Sequence, residues 1–278
     1  MSKSIKLISF DLDGTFLNDS KQVPERNTLA IEKAAAQGVH IVPATGRTYA
    51  GLPDMLKELP FIRYYITANG SCIYDKKEDK ALSRSMIPLE LALRFYEHME
   101  TLPVIYDCYK EESGYMSRYM WEQLEDYISN PHMLSHVKSM RRPVDDLVSH
   151  LIESGEELLK MQMFFKDQAE RERQLELLPR RFPELVFSSS IPGNIEVTIQ
   201  GGTKGNALKK LCELLGLDIS QSMALGDGSN DRDMIKAAGI GVAMENAEAV
   251  LLSTADYVTG HCNDAGFAQA IEKFVFSE

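Results

Sequence analysis

The sequence predicts an α/β protein: a doubly wound parallel sheet with a second, smaller domain of α and β elements inserted into it. Three observations predict it. Short apolar runs, Leu7–Phe10, Val39–Val42 and Tyr64–Thr67, alternate with amphipathic stretches of helical period, the order that lays helices on both faces of a parallel sheet. Runs of this kind end in polar or glycine-bearing turns, Asp11–Gly14, Thr45–Gly46, Asn69–Gly70 and, later, Gly226–Asp231. Between residues 84 and 190 the chain grows rich in Met and Tyr and such turns vanish, and 278 residues exceed what one compact core usually holds. The expected division is therefore 1–83 with 191–278 as the first domain and 84–190 as the insertion.

Leu7–Phe10 reads as a strand buried on both faces, and Asp11-Leu12-Asp13-Gly14-Thr15 follows it. Strand side chains repeat with period two, so Asp11 and Asp13 start out pointing the same way. Two like charges that close repel unless a cation or a shared proton lies between them. A calcium loop is excluded, because its later ligand and glycine places hold Thr15, Phe16 and Gln22. A plain acidic turn stays open on this stretch alone.

Pro24 opens a helix running to Gln37, with Leu29, Ile31, Ala34 and Ala35 expected inside. The strand Val39–Val42 ends at Pro43-Ala44-Thr45-Gly46-Arg47, before a helical stretch toward Leu59. A hydroxyl and a glycine there can offer an O–H and backbone N–H groups to a phosphate, and Thr45 can equally cap the helix; both readings stand. Tyr64–Thr67 is expected as the third strand, with Ser71–Tyr74 returning from it. In open α/β sheets ligands gather outside the carboxyl ends of the strands, which is where Asp11, Thr45 and Asn69 would lie.

In the insertion, Glu90–Glu100 reads as a helix, and Val104–Tyr109 and Met161–Phe165 as strands. Tyr106, Tyr109, Tyr115, Tyr119 and Trp121 can line a pocket, but aromatic residues at this density favour core. The mixed charges of Asp167–Gln174 suggest a solvated helix face. Ile195–Ile199 is expected to return the chain to the first domain.

Thr203-Lys204-Gly205 then opens an amphipathic helix, with Leu208, Leu211, Leu214 and Leu215 expected inward and Gly216 as its stop. A lysine at a helix N-terminus opposes the macrodipole, at a cost of about 0.3–1 kcal/mol unless an anion offsets it. A bound phosphate would do so, although on position alone a surface lysine is the commoner case. Met223–Leu225 is the next buried strand, ending in Gly226-Asp227-Gly228-Ser229-Asn230-Asp231 before a helix over Asp233–Ala238. Asp227, Asp11 and the backbone carbonyl of Asp13 can complete an oxygen cage for Mg2+. Asp231 and Asp233 are expected to serve the N-terminus of that helix. Strands at Gly239–Val242 and Ala255–Val258 and a helix over Gly266–Phe276 finish the chain.

The net charge of −11, with neither a basic run nor an arginine-rich face, argues against nucleic acid or an anionic membrane as partner. No apolar run approaches a membrane span, and the N-terminus lacks the pattern of a signal peptide, so a cytoplasmic location is expected. Cys72, Cys108, Cys212 and Cys262 are scattered without metal-type spacing and read as reduced packing residues.

Taken together, four of these stretches resemble the four motifs of the haloacid-dehalogenase-like (HAD) phosphohydrolases. Asp11-Leu12-Asp13-Gly14-Thr15 is similar to the first motif, Thr45-Gly46-Arg47 to the second, Lys204 to the third and Gly226–Asp231 to the fourth. The long insertion between the second and third, with Asn69-Gly70 before it and Gly239–Asn246 near the end, resembles the Cof-type branch with its large α/β (type IIB) cap. The resemblance implies a Rossmann-like core and a Mg2+-dependent phosphatase for small phosphate monoesters: sugar phosphates, flavin precursors or pyridoxal phosphate. It implies Asp11 as nucleophile, Asp13 as general acid and base, and Asp11, Asp13 and Asp227 at the metal. Lys204, Thr45, Asn230 and the N–H groups of Leu12 and Gly46 would hold the phosphate, with Arg47 reaching substrate or cap. A phosphotransferase or mutase passing the phosphoryl group to a sugar stays open, as does a sensor phosphorylated on Asp11. A dehalogenase does not fit, since that chemistry requires neither Asp13 nor the metal site at Asp227.

Overall fold

Leu7, Ile8 and Phe10 are fully buried because the strand Leu7–Phe10 lies inside a row of five parallel strands. In this computed structural model, which describes residues 4–111, 113–189 and 193–276, the row runs Tyr257–Val258, Ile240–Ala243, Ser222–Gly226, Leu7–Phe10, His40–Pro43. Phe10 is in register with Leu225 on one side and Pro43 on the other. From Leu7–Phe10 the chain moves outward to His40–Pro43, and only much later to Ser222–Gly226 on the opposite side. The strand order therefore reverses between Leu7–Phe10 and Ser222–Gly226, where open α/β sheets bind ligands.

The helices Lys204–Leu215 and Arg232–Ala237 pack with the sheet through Leu208, Leu211, Ala224, Met234 and Ile235. Phe10, Phe16 and Phe267 form a second, aromatic contact, with ring centroids 4.9–5.1 Å apart. The helix Glu25–Ala36 buries Asn27, Ala30, Ile31 and Ala34, whereas Leu29, expected inside, is 56% exposed. Asn27 takes the inner position because its amide donates to the Phe16 carbonyl and accepts from the N–H of Ala268, satisfying a buried polar side chain. Leu214 likewise faces out, while Cys212 faces in.

Tyr64–Thr67 is not a member of the parallel sheet, although Ile66 bridges to Ala44 and Tyr64 and Ile66 pack with Leu7 and Val42. It heads a three-stranded sheet, lying antiparallel to Cys72–Asp75, with Lys80–Arg84 on the far side. The helix expected toward Leu59 is confined to Asp54–Glu58 and preceded by Pro53, so Thr45 does not cap it.

Thr48–Gly51 and Arg84–Gly202 form a separate compact unit. Its six-stranded sheet runs Leu185–Ser188, Asn194–Ile199, Lys160–Phe165, Val104–Lys110, Ser113–Ser117, Arg141–Val144. Asn194–Ile199 pairs antiparallel with both Leu185–Ser188 and Lys160–Phe165, so Ile195–Ile199 belongs to this unit and not to the first domain as expected. The expected crossing at 190/191 lies outside the described residues, and the chain rejoins the first unit at Thr203. Tyr106, Cys108, Met161, Met163, Ile195 and Val197 share an apolar core with Phe95, Tyr96, Leu151 and Leu178 of three helices. Tyr109 is buried, Tyr115 and Trp121 pack partly against that core, and Tyr119 is exposed. Neighbouring strands place Asp107, Gln162 and Glu196 in one cross-strand row. There Arg141 pairs with Asp107 at 2.8 Å and Lys160 with Glu196 at 2.6 Å, all four side chains buried.

Candidate active site

Asp11 and Asp227 come one residue after adjacent parallel strands, which brings two carboxylates from opposite ends of the sequence to the point where the strand order reverses. The N–H of Asp11 donates to the Leu225 carbonyl at 3.0 Å, continuing the strand ladder into the turn. Gly14 has φ +82°, and a Cβ there would lie 2.3 Å from Asp227 Oδ2. The turn thus needs glycine both for its backbone and for the carboxylate that occupies the space. Thr15 Oγ1 donates to Asp227 Oδ1 at 2.8 Å, and Asn246 Nδ2 donates to the Gly14 carbonyl at 2.8 Å.

Lys204 is the first residue of the helix Lys204–Leu215, whose N-cap is Thr203. It is fully buried, unlike the surface lysine that position alone would favour. Its Nζ donates to Asp11 Oδ1 at 2.5 Å and to Asp231 Oδ1 at 2.6 Å, so carboxylates supply the anion that offsets its unfavourable place on the macrodipole. The other oxygen of Asp231 accepts the N–H groups of Asp227 and Gly228, both at 3.1 Å. Asp231 is therefore a fully buried part of the site, a role its sequence position before a helix concealed. Asp233 accepts the N–H of Gly205 at 3.1 Å, serving the start of Lys204–Leu215 rather than its own helix. Gly70, at φ +102°, lets the backbone pass Thr203, since a Cβ would stand 2.1 Å from the Thr203 carbonyl carbon.

Asp11, Asp227 and Asp231 each offer a carboxylate oxygen within 4.8 Å of the others. Burial pushes the Asp11 carboxyl up; Lys204 opposes this, while Asp231 and Asp13 add to it. Burial also pushes Asp227 up, with Asp11 and Asp231 reinforcing the effect. Burial lowers the Lys204 pKa, but the two carboxylates outweigh it and hold the ammonium charged. Three carboxylates around one ammonium leave excess negative charge, and a cluster of hard oxygen donors suits Mg2+. Asp11 and Asp227 fit as its protein ligands, because Asp231 is committed to Lys204 and to backbone N–H groups.

The Asp13 carboxylate is not part of this cluster and pairs with cations instead. Arg47 forks onto it, Nη2 lying 2.9 Å from Oδ2 and 3.1 Å from Oδ1, and Lys21 Nζ reaches Oδ1 at 2.9 Å. Burial raises its pKa, yet Arg47 and Lys21 prevail and hold it below the usual carboxylate range. Leu12 is buried, and its carbonyl accepts the N–H of Leu17 at 2.7 Å. Thr45 Oγ1 accepts the N–H of Arg47 at 3.3 Å across Gly46. Asn69 links the second and fourth turns: its N–H donates to the Thr45 carbonyl at 2.9 Å, and its side-chain oxygen accepts from Asn230 Nδ2 at 3.2 Å.

The family model for haloacid dehalogenase-like hydrolases matches residues 8–271. A 5-amino-6-(5-phospho-D-ribitylamino)uracil phosphatase of Bacillus subtilis is 34% identical over 271 residues, covering 98% of this chain and 96% of the relative. An Escherichia coli phosphatase of the same name is 29% identical over 282 residues, covering 99% and 98%. Among solved structures, a haloacid dehalogenase-like hydrolase from B. subtilis superposes with a TM-score of 0.82 at 28% identity, over 96% of this chain and 99% of that one. A sugar phosphatase of HAD subclass IIB gives 0.80 at 26% identity, over 97% and 98%. With the family model spanning nearly the whole chain and the four turns gathered at one end of the sheet, the protein belongs to the haloacid dehalogenase-like hydrolases.

Proposed function

We propose that this chain is a Mg2+-dependent phosphatase that hydrolyses small phosphate monoesters through a phosphoaspartate at Asp11. The observation that carries this reading is the buried triad of Asp11, Lys204 and Asp231 with Asp227 beside it. It sets the Asp11 carboxylate against a charged lysine with Asp231 and Asp227 beside it, which supports Asp11 as the nucleophile. A bound Mg2+ supplies neutralising charge for the transferring phosphoryl group. Asp11 attacks phosphorus, forming an acyl phosphate as the bond to the leaving oxygen breaks. Asp13 gives its proton to that leaving alkoxide. In the second half Asp13 takes a proton from water, which attacks phosphorus and releases inorganic phosphate and free Asp11. Lys204 and Thr45, with the N–H groups of Leu12 and Gly46, hold the phosphoryl oxygens in this reading, and Asn69 orients Asn230 beside them.

The ionised, Arg47-paired Asp13 suits the base half of the cycle; the acid half requires its carboxyl to part from Arg47 and take up a proton. The relatives named for a flavin-precursor phosphatase and the sugar phosphatase support a phosphorylated polyol or sugar as substrate. The unit Arg84–Gly202 is the candidate selectivity domain, or cap. Four free cysteines support a reducing, cytoplasmic setting. The test is phosphate release from a panel of sugar phosphates, ribityl phosphates, nucleotides and pyridoxal phosphate, with Mg2+ and with chelator. Metal-dependent release from ribityl or sugar phosphates supports the reading; no release from any member contradicts it.

A further inference from the structure

We propose that Asp19, His261 and Cys262 form a second metal site, for a thiophilic divalent ion such as Zn2+, apart from the carboxylate centre. The three side chains offer an oxygen, a nitrogen and a sulfur within 4.8 Å of one another. Cys262 Sγ lies 3.7 Å from His261 Nδ1 and 3.7 Å from Asp19 Oδ1. Bonds of about 2.3 Å to sulfur and about 2.0–2.1 Å to nitrogen or oxygen, at tetrahedral angles, place such ligand pairs about 3.5 Å apart. The donors are thus already near the separations the ion requires. They come from segments 243 residues apart, so no spacing in the sequence reveals them.

A surrounding layer orients the ligands, as outer partners do in metal sites. Asn263 Nδ2 donates to Asp19 Oδ2 at 2.8 Å, and the Asp19 N–H donates to Asn263 Oδ1 at 3.1 Å, directing Oδ1 toward the sulfur. The Cys262 N–H donates to Asn246 Oδ1 at 3.0 Å. His261 Nδ1 accepts the N–H of Asn263 at 3.1 Å; Asn263 is exposed, so water can take that N–H when the imidazole turns to a metal. Asp19 is exposed, His261 half-buried and Cys262 buried, so an ion enters from solvent and meets the sulfur at the bottom, with its fourth position left to water. A sulfur and an imidazole favour Zn2+, whereas the all-oxygen set at Asp11 favours Mg2+. A bound ion would clamp the loop that carries Lys21, the partner of Asp13, to the segment leading into the helix Gly266–Ile271.

Co2+ is the probe, because a cobalt–thiolate bond has a charge-transfer absorption that oxygen ligands do not give. Titrating the reduced full chain, in excess Mg2+, is expected to raise this band, and Zn2+ to remove it. Cys262→Ser is expected to abolish it, and Asp19→Ala and His261→Ala each to weaken Co2+ binding at least tenfold. If Cys262→Ser does not fold by circular dichroism, the other two variants decide the matter. No band in the folded wild type, a band that survives in folded Cys262→Ser, or unchanged affinity in either of the other variants overturns the site.

Discussion

Lys204 and Asp11 are 193 residues apart in sequence, yet the lysine Nζ lies 2.5 Å from the carboxylate in a site closed to solvent around the ammonium. The strand Leu7–Phe10 delivers one partner and the first residue of the helix Lys204–Leu215 the other. Removing one member of a buried ion pair leaves an uncompensated charge, which costs about 3–5 kcal/mol. Lys204→Met is therefore expected to lose turnover and to unfold at markedly lower urea concentration at pH 7. The destabilisation should shrink as pH falls below about 7, where the Asp11 carboxyl, raised to about 7 by burial, takes up a proton. An equally stable variant at pH 7 would contradict this account of the pair.

Asp227 acts in the opposite sense. Its folded pKa is raised by burial and by Asp11 and Asp231, so the folded state binds more protons than the unfolded state above the ordinary carboxylate pKa. Without metal, its contribution must therefore grow more unfavourable as pH rises from about 4 toward about 8. Asp227→Asn removes the buried charge and is expected to raise Tm in chelator at pH 8 while abolishing Mg2+-dependent turnover. Thermal melts of both proteins with and without Mg2+ check this; a lower Tm for the variant in chelator is the contrary result.

Arg47 and Lys21 hold Asp13 below the usual carboxylate range, against the effect of burial. Arg47→Ala is expected to move the ionisation of Asp13 upward, displacing the acidic limb of the kcat profile toward neutral pH. It should also slow substrates with poor leaving groups differently from activated aryl phosphates. A pH–rate profile that keeps its shape would show that Arg47 does not tune this residue.

In the second unit, Arg141 spans from Asp107 Oδ2 to Gln162 Oε1, donating to both from within the sheet face. Arg141→Met strands the Asp107 carboxylate and is expected to cost about 3 kcal/mol, seen as a lower urea midpoint. The double variant with Asp107→Asn should recover part of that loss, because the leftover group is then neutral. Full additivity of the two changes is the result that excludes coupling.

The strand-end turns holding Asp11, Thr45 and Asp227 were legible because polar and glycine residues interrupt apolar runs there, and Lys204 stood out as a cation opening a helix. Partnerships were less legible. Asp231 reads as a helix-start acid, and only the fold shows it buried against Lys204. The pattern of helix Glu25–Ala36 pointed Leu29 inward, since a period argument assigns apolar residues to the core and does not anticipate Asn27 satisfied by Phe16 and Ala268. Ile195–Ile199 reads the same in either unit; its hydrogen-bond partners, Lys160–Phe165 and Leu185–Ser188, decide where it belongs.

The central claim is that Asp11 carries the phosphoryl group. The most direct measurement is acid quenching of the enzyme during turnover of a ribityl or sugar phosphate, followed by mass spectrometry of the peptide spanning Leu7–Leu17. One phosphate is expected on Asp11, appearing only with Mg2+, lost on treatment with hydroxylamine, and absent from a folded, inactive Asp11→Asn variant. Turnover that persists in that variant, or phosphate found on a different residue, would contradict it.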